Sequence, residues 1–180
     1  MQDSYNKTIT LSSGKTIVLR LPQLADAKAF SDYINQLVEE DTFISTNKQT
    51  IQDEVEYITS ILKNTNDGKE AHIVAFDGEK KIGSVDIFNL GVRKEHVGEL
   101  LINILDSFRK QGLGTILLDE IIILAKEKLN LKLITLTCFS LNEVAYKLYL
   151  KKGFKQYGLL PKAIKYKGAY IDELLMYKEL

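Results

Sequence analysis

Cysteine occurs once, at Cys138, so no disulfide closes within the chain and a disulfide-stapled secreted scaffold is excluded. An excess of one charge is also missing. The 24 Lys+Arg residues balance 24 Asp+Glu, giving zero net charge and no global pull toward nucleic acid or a membrane surface. No apolar run is long enough to span a bilayer; the greasiest, Thr115 to Ala125, is broken by Asp119 and Glu120. The opening residues, Met1-Gln2-Asp3-Ser4-Tyr5-Asn6, lack the cationic start and apolar core of a secretory leader, so a cytoplasmic location is expected. Internal repeats and low-complexity tracts are absent, and nothing marks a domain boundary. What remains is one domain over residues 1–180, 45% apolar and 27% charged, large enough for a real core.

The periodicity divides this domain into elements. A polar stretch ends at the turn Ser12-Ser13-Gly14, and Lys15 to Leu21 reads as a strand stopped by Pro22. Asp26 opens a helix to about Glu40, and a second helix runs from about Thr50 to Lys63, ended by Asn64-Thr65-Asn66-Asp67-Gly68. The period then switches to two. Ala71 to Phe76, Ile82 to Leu90 and His96 to Leu105 read as an antiparallel meander with a hairpin turn at Asp77-Gly78. A helix over 112–129 is apolar on a broad surface, which implies packing on a sheet. Lys132 to Phe139 is apolar on both faces and is expected to be central and parallel to its predecessor. Asn142 caps a helix to Lys152, stopped by Gly153. Two strands, about 154–159 and 169–178, close the chain, joined by a basic segment with Pro161, Lys162, Lys165 and Lys167.

The junction between the third meander strand and the long helix carries Arg109-Lys110-Gln111-Gly112-Leu113-Gly114. The first amides of a helix have no internal acceptors and lie at its positive end, and glycines let an anion approach closely. The spacing is Arg-x-x-Gly-x-Gly. It is neither the Gly-x-Gly-x-x-Gly of dinucleotide binders nor a P-loop, which ends in Gly-Lys-Ser/Thr. Taken alone, the pattern fits a phosphate site and a simple tight turn equally.

Arg109-x-x-Gly112-x-Gly114, then Asn142, then Leu148-Tyr149-x-Lys151-Lys152-Gly153-Phe154 resemble the GNAT superfamily of acyl-CoA-dependent N-acetyltransferases. The closing stretch Lys167 to Met176 is similar to the branch that acetylates small amines or protein N-termini. The likeness covers about residues 15–180. It implies an α/β (α+β) single-domain fold, a mixed and mostly antiparallel sheet of about seven strands with a splayed parallel pair, flanked by about four helices. It also implies acetyl-CoA as acyl donor, with its pyrophosphate on the amides of Arg109, Lys110, Gln111, Gly112, Leu113, Gly114 and Thr115. Pantetheine would lie between the splayed strands against backbone groups near Asn103, Ile104 and Leu105. Asn142 would touch the coenzyme as well as cap its helix. The basic cluster Lys151, Lys152 and Lys155 fits either a contact to the 3′-phosphate or a solvated helix end.

The same resemblance implies direct attack of a neutral amine on the thioester, with the oxyanion held by backbone amides. Tyr149 lies two helical turns from Asn142 and shares its face. A tyrosine with a pKa near 10 is protonated at neutral pH and can hand its proton to the departing thiolate. Glu99 is the candidate to accept the amine's proton directly or through water, with His96 as a weaker spare. Cys138 has no partner to activate it, since His72 begins a different strand, and reads as core. Between positions 32 and 56 the acids Asp32, Glu39, Glu40, Asp41, Asp53, Glu54 and Glu56 face a single basic residue, Lys48. On the acceptor side of the fold this favours a small cationic amine. The alternatives are a protein N-terminus, such as a ribosomal protein's, and an acyl-CoA sensor without turnover. No metal, nucleic-acid or membrane partner is expected, and a homodimer is allowed.

Overall fold

The computed structural model describes residues 5–41, 43–44 and 46–180. Met1 to Ser4, read above for the absence of a leader, lie outside them. The described chain runs β1 (Asn6–Thr10), β2 (Thr16–Arg20), α1 (Ala27–Glu39), α2 (Ile51–Asn66), β3 (Glu70–Asp77), β4 (Lys80–Asn89), β5 (Val97–Ile104), α3 (Leu113–Glu127), β6 (Leu133–Phe139), α4 (Glu143–Lys151), β7 (Lys155–Tyr166) and β8 (Ala169–Glu179). One mixed sheet carries all eight strands in the order β1-β2-β3-β4-β5-β6-β8-β7. Only β5 and β6 pair in parallel; every other neighbour is antiparallel.

Three features depart from the sequence reading. The polar N-terminal stretch contains an edge strand, β1, paired with β2 from Asn6↔Arg20 to Thr10↔Thr16. Only Ile9 on this strand is half-buried, so its apolar signal is one residue deep. The basic segment expected to join the last two strands is itself strand, the second half of β7. Pro161 is tolerated because β7 is the outer strand and its register shifts between Leu160 and Ile164, where no ladder bond is required of the proline. The second helix also runs past its expected end at Lys63 to Asn66.

Side chains alternate across the sheet, so each strand feeds two cores. Ile73 and Ala75 of β3, Val85 and Ile87 of β4, and Leu100 of β5 pack under Leu117, Leu118 and Ile121 of α3. On the opposite face Val74 and Phe76 meet Ala27 and Phe30 of α1 and Ile58 of α2. Thr50 caps α2 by accepting from the Asp53 amide, and Asp53 accepts in return from the Thr50 amide at 2.8 Å. Alternation thus places α3 on one face and α1 with α2 on the other, with the β5–β6 junction between them.

Candidate active site

The site begins where the sheet stops being continuous. β5 and β6 pair only over Val97↔Leu133, Gly98↔Ile134 and Glu99↔Thr135, and then diverge. The direction of the free backbone follows from the pleat. The His96 carbonyl accepts from Lys132 and Leu133 at 2.9 and 3.2 Å, so even-numbered residues of β5 address β6. Odd-numbered ones address β4, as the Leu105 amide does in donating to the Ile82 carbonyl at 3.0 Å. Past Glu99, the backbone of Leu100, Ile102 and Ile104 therefore turns to the gap. Asn103 and Leu105 point away from it, and the Asn103 carbonyl accepts from the Tyr33 hydroxyl at 2.8 Å. A cavity of about 660 Å³ occupies the gap, lined by Leu100 to Asn103 of β5 and Thr137 to Phe139 of β6.

At the far end of β5 the chain makes a one-turn helix over Asp106–Phe108 and enters the glycine turn. The Arg109 amide is spent within that turn on the Asp106 carbonyl, at 3.1 Å. Its side chain serves as a strut: Nε donates to the Ile104 carbonyl at 2.8 Å, and the guanidinium reaches Asp106 at 3.2 Å and Glu40 at 3.4 Å. Gln111 is latched to the N-terminal hairpin, its carbonyl accepting from the Ser12 amide and its side chain from the Ser13 hydroxyl at 2.6 Å. Gly112, at φ 89°, is the N-cap of α3, and no side chain caps this helix. The first intrahelical bond is Ile116 to Gly112, which leaves the amides of Leu113, Gly114 and Thr115 without helical acceptors. A Cβ at Gly112 would meet no atom within 4 Å, so the space over these amides is open.

Helix α4 supplies the other wall. The Asn142 side chain accepts from the Ala145 amide at 3.2 Å, capping the helix, while the residue also lines the cavity. The C-terminus closes as a Schellman motif. The Phe154 amide donates to the Tyr149 carbonyl and the Gly153 amide to the Leu150 carbonyl, both at 3.0 Å, with Gly153 at φ 83°. The apolar contact that accompanies this motif is the edge-to-face pair Tyr149–Phe154, with centroids 5.8 Å apart. The cap therefore fixes the tyrosine ring.

Tyr149 is 6% exposed and lines the cavity, and its hydroxyl has no hydrogen-bond partner among the described residues. Burial, then the nearby Cys138, push its ionisation well above the ordinary tyrosine value. Burial also pushes the Cys138 thiol up to about 11, which leaves a thiolate fraction on the order of 10⁻⁴ at neutral pH. Tyr146 bonds Gln156 at 3.1 Å and packs beside the site. Lys152 clamps α4 to α3 through Asp119, at 2.6 and 2.7 Å.

Across the gap, under α1 and α2, the cavity is acidic. Asp53, Glu54 and Asp86 line it there, Glu173 adds a further acid from β8 on the β6 side, and Lys81 is the single cation among the described lining residues. Glu54 is 5% exposed, and burial raises its ionisation more than Lys81 lowers it. Lys81 is equally buried, 3.4 Å from the Phe30 ring centroid and 4.4 Å from that of Tyr33. Burial pulls its ammonium down to about 8 against the attraction of Asp86, Glu54 and Asp26. The other acids singled out in the sequence are engaged elsewhere: Asp32 with Lys28, Glu39 with Lys48, Glu40 with Arg109, Asp41 with Lys167 and Glu56 with Gln52. Glu99 lies where β5 and β6 are still paired, opposite Thr135, and does not line the cavity. His96 is exposed in the loop before β5. Sequence reasoning missed Tyr33, Lys81 and Asp86. The available signal was a charge inside an apolar strand pattern, which Lys81 and Asp86 both show within 80–89.

Residues 33–154 match the model of the acetyltransferase (GNAT) family. A GNAT-family acetyltransferase from Streptococcus pneumoniae superposes with a TM-score of 0.82 at 27% identity, over 91% of this chain and 99% of that one. A ribosomal-protein-S5-alanine acetyltransferase from Vibrio fischeri gives 0.81 at 19% identity, over 91% and 92%. The protein yncA from Salmonella typhimurium, solved with its cofactor acetyl-CoA, gives 0.78 at 19% identity, over 91% and 94%. No curated protein sequence matches the chain.

Proposed function

The chain belongs to the acetyltransferase (GNAT) family, and we propose that it transfers an acetyl group from acetyl-CoA to a primary amine, favouring a small cationic one. The observation that carries this reading is the cavity through the β5–β6 gap. It has a protonated Tyr149 hydroxyl, without a hydrogen-bond partner among the described residues, on the α4 side, Asp53, Glu54 and Asp86 on the other, and Glu173 beside β6. The uncapped amides of Leu113, Gly114 and Thr115 suit a pyrophosphate, as does the open space over Gly112. The gap-facing backbone of Ile102 and Ile104 suits an amide-bearing pantetheine arm, in the manner of an added strand.

In this reading acetyl-CoA supplies the activated acyl group, and the residues of this chain do the rest. Acids around one lysine draw a cationic acceptor to the gap. Backbone amides of β5 stabilise the developing oxyanion, and Tyr149 protonates the departing thiolate. Asn142 serves as helix cap and cofactor contact. Lys152 serves the coenzyme only by holding α4 on α3. Set back from the cavity, Glu99 has no direct contact with the acceptor amine.

A protein N-terminus is the second acceptor reading, favoured by a shallow groove of about 450 Å³ lined by Ile44, Phe139, Ile164 and Tyr166, where a peptide could lie. A thiol-release screen over monoamines, polyamines, amino acids and peptides tests both. Release with small cationic amines is expected. Release with peptides alone moves the function to protein N-termini, and tight acetyl-CoA binding without release across the panel reduces the protein to a sensor.

A further inference from the structure

His72 is the one titratable side chain in the apolar run of β3 from Ala71 to Phe76, and it is 4% exposed. Both ring nitrogens are engaged. Nδ1 lies 2.8 Å from Asp86 Oδ1 on the adjacent strand, and Nε2 lies 2.9 Å from Glu70 Oε2 on its own strand. A neutral imidazole carries one N–H, so two carboxylates at these distances require either an imidazolium or a protonated carboxyl. The three groups together thus hold a mobile proton. The ends of the chain differ in environment. Asp86 lines the acceptor side of the cavity, whereas Glu70, 22% exposed at its side chain, lies away from the cavity with its other oxygen accepting from Asn64 at 2.8 Å.

Resting on the acetyl-transfer reading above, we propose that Asp86 is the general base for the amine and that His72 and Glu70 relay its proton from the cavity to solvent. The acceptor ammonium's N–H bond breaks and an Asp86 O–H bond forms, leaving the electron pair on nitrogen for attack. In step with this, His72 gives its Nε2 proton to Glu70, and Glu70 loses a proton to water. Nδ1 keeps its own proton in this step, so the ring turns over to present the bared Nε2 to Asp86; the Asp86 proton then passes to Nε2, resetting the three groups, and one proton leaves per turnover.

The surrounding charges fit this assignment. Asp86 attracts the buried Lys81 ammonium on its own strand, while Glu54 and Tyr57 on α2 and Tyr33 on α1 face the same strands. Desolvation lowers the proton affinity of His72, and the hydrogen bonds and charges of Asp86 and Glu70 reverse this, leaving it above the ordinary value. Asp86 stands directly opposite Leu101, a cavity-lining residue of β5, whereas Glu99 pairs outside the gap.

His72→Gln and Glu70→Gln separate a relay from a packing role. Each is expected to lower kcat with a small cationic amine by about tenfold or more, with KM for acetyl-CoA within about twofold. The lost rate is expected to return as imidazole or another diffusible buffer is raised, while the wild-type rate ignores buffer. Variants that match the wild type, or that lose activity without buffer response, overturn the relay. Nitrogen NMR of His72 in the ligand-free protein gives a readout independent of turnover. Both ring nitrogens should be protonated at pH 7.5, and this state should weaken in Asp86→Asn and Glu70→Gln. A neutral ring unaffected by either change overturns the relay, whatever the screen shows. A wild-type enzyme that releases no thiol with any amine, yet shows the imidazolium, instead refutes the acetyl-transfer reading and the use of the relay with it.

Discussion

Replacing Tyr149 with phenylalanine removes one oxygen and nothing else that the fold uses. The ring keeps its edge-to-face contact with Phe154, and the lost hydroxyl bonds no described residue, so stability should change by no more than about 0.5 kcal/mol. If Tyr149 protonates the departing thiolate, its loss removes a transition-state interaction worth about 10²-fold, or about 2.7 kcal/mol in the barrier. The assay is steady-state thiol release at saturating amine, with calorimetric acetyl-CoA affinity and thermal unfolding as controls. The expected pattern is a kcat near one-hundredth of wild type with affinity and melting point unchanged. The pH profile adds a second check. Burial raises the ionisation of Tyr149, so it stays protonated through mildly alkaline pH and should impose no fall in rate there. An unchanged kcat refutes the assignment. A kcat loss matched by an equal loss of cofactor affinity refutes it as well, because the hydroxyl would then be a binding group.

Three further predictions concern the frame. At Gly98 a Cβ would lie 2.5 Å from Leu131 Cδ1 and 2.9 Å from the Ile87 side chain, both fully buried, so Gly98→Ala should cost about 1–3 kcal/mol in urea unfolding. An unaltered midpoint would show that this end of the β5–β6 pair has room to spare. Gly112→Val forces a β-branched residue to φ 89°, a strain of about 1–2 kcal/mol, and projects carbons over the α3 amides. Calorimetry should show acetyl-CoA binding weakened severalfold, and undiminished binding would remove the pyrophosphate from this turn. His72 has a folded-state pKa above its unfolded value near 6.5, so its contribution to stability is complete below about pH 6.5 and is lost as pH rises through the folded value. Wild-type stability should therefore fall more than that of His72→Gln between pH 6 and 9, and parallel curves would refute the protonated triad.

The sequence was most informative where one residue type has one physical use. Gly112 and Gly153 both take positive φ at helix ends, and Asn142 caps α4, as the pattern required. Helical and strand periods located four helices and seven of the eight strands, because amphipathic burial leaves a period that can be counted. β1 escaped because an edge strand with a single half-buried residue has almost no period. The second half of β7 escaped because its lysines and Pro161 describe a loop unless the outer position in the sheet is known. In the site, the turn and Tyr149 were legible, whereas Asp86 and His72 were not. Their meaning depends on a cross-strand register, His72↔Asp86, which local sequence does not encode. Glu99 shows the converse. The family resemblance named it, but the last paired rung of β5 and β6 keeps it out of the cavity.

That rung also determines how a ligand can be held. Even-numbered residues of β5 face the gap, and pairing consumes their bonds as far as Glu99↔Thr135. At the opposite end Arg109 Nε takes the Ile104 carbonyl. Between these limits Ile102 turns both its amide and its carbonyl into the cavity, flanked by the Leu100 carbonyl and the Ile104 amide. These groups alternate donor and acceptor, as an amide-bearing arm does. Ile102 follows Leu101, the residue opposite Asp86, and shares the cavity with Tyr149. Arg109 thus does more than shape a turn. By occupying the Ile104 carbonyl it leaves fewer backbone groups of β5 open to the gap.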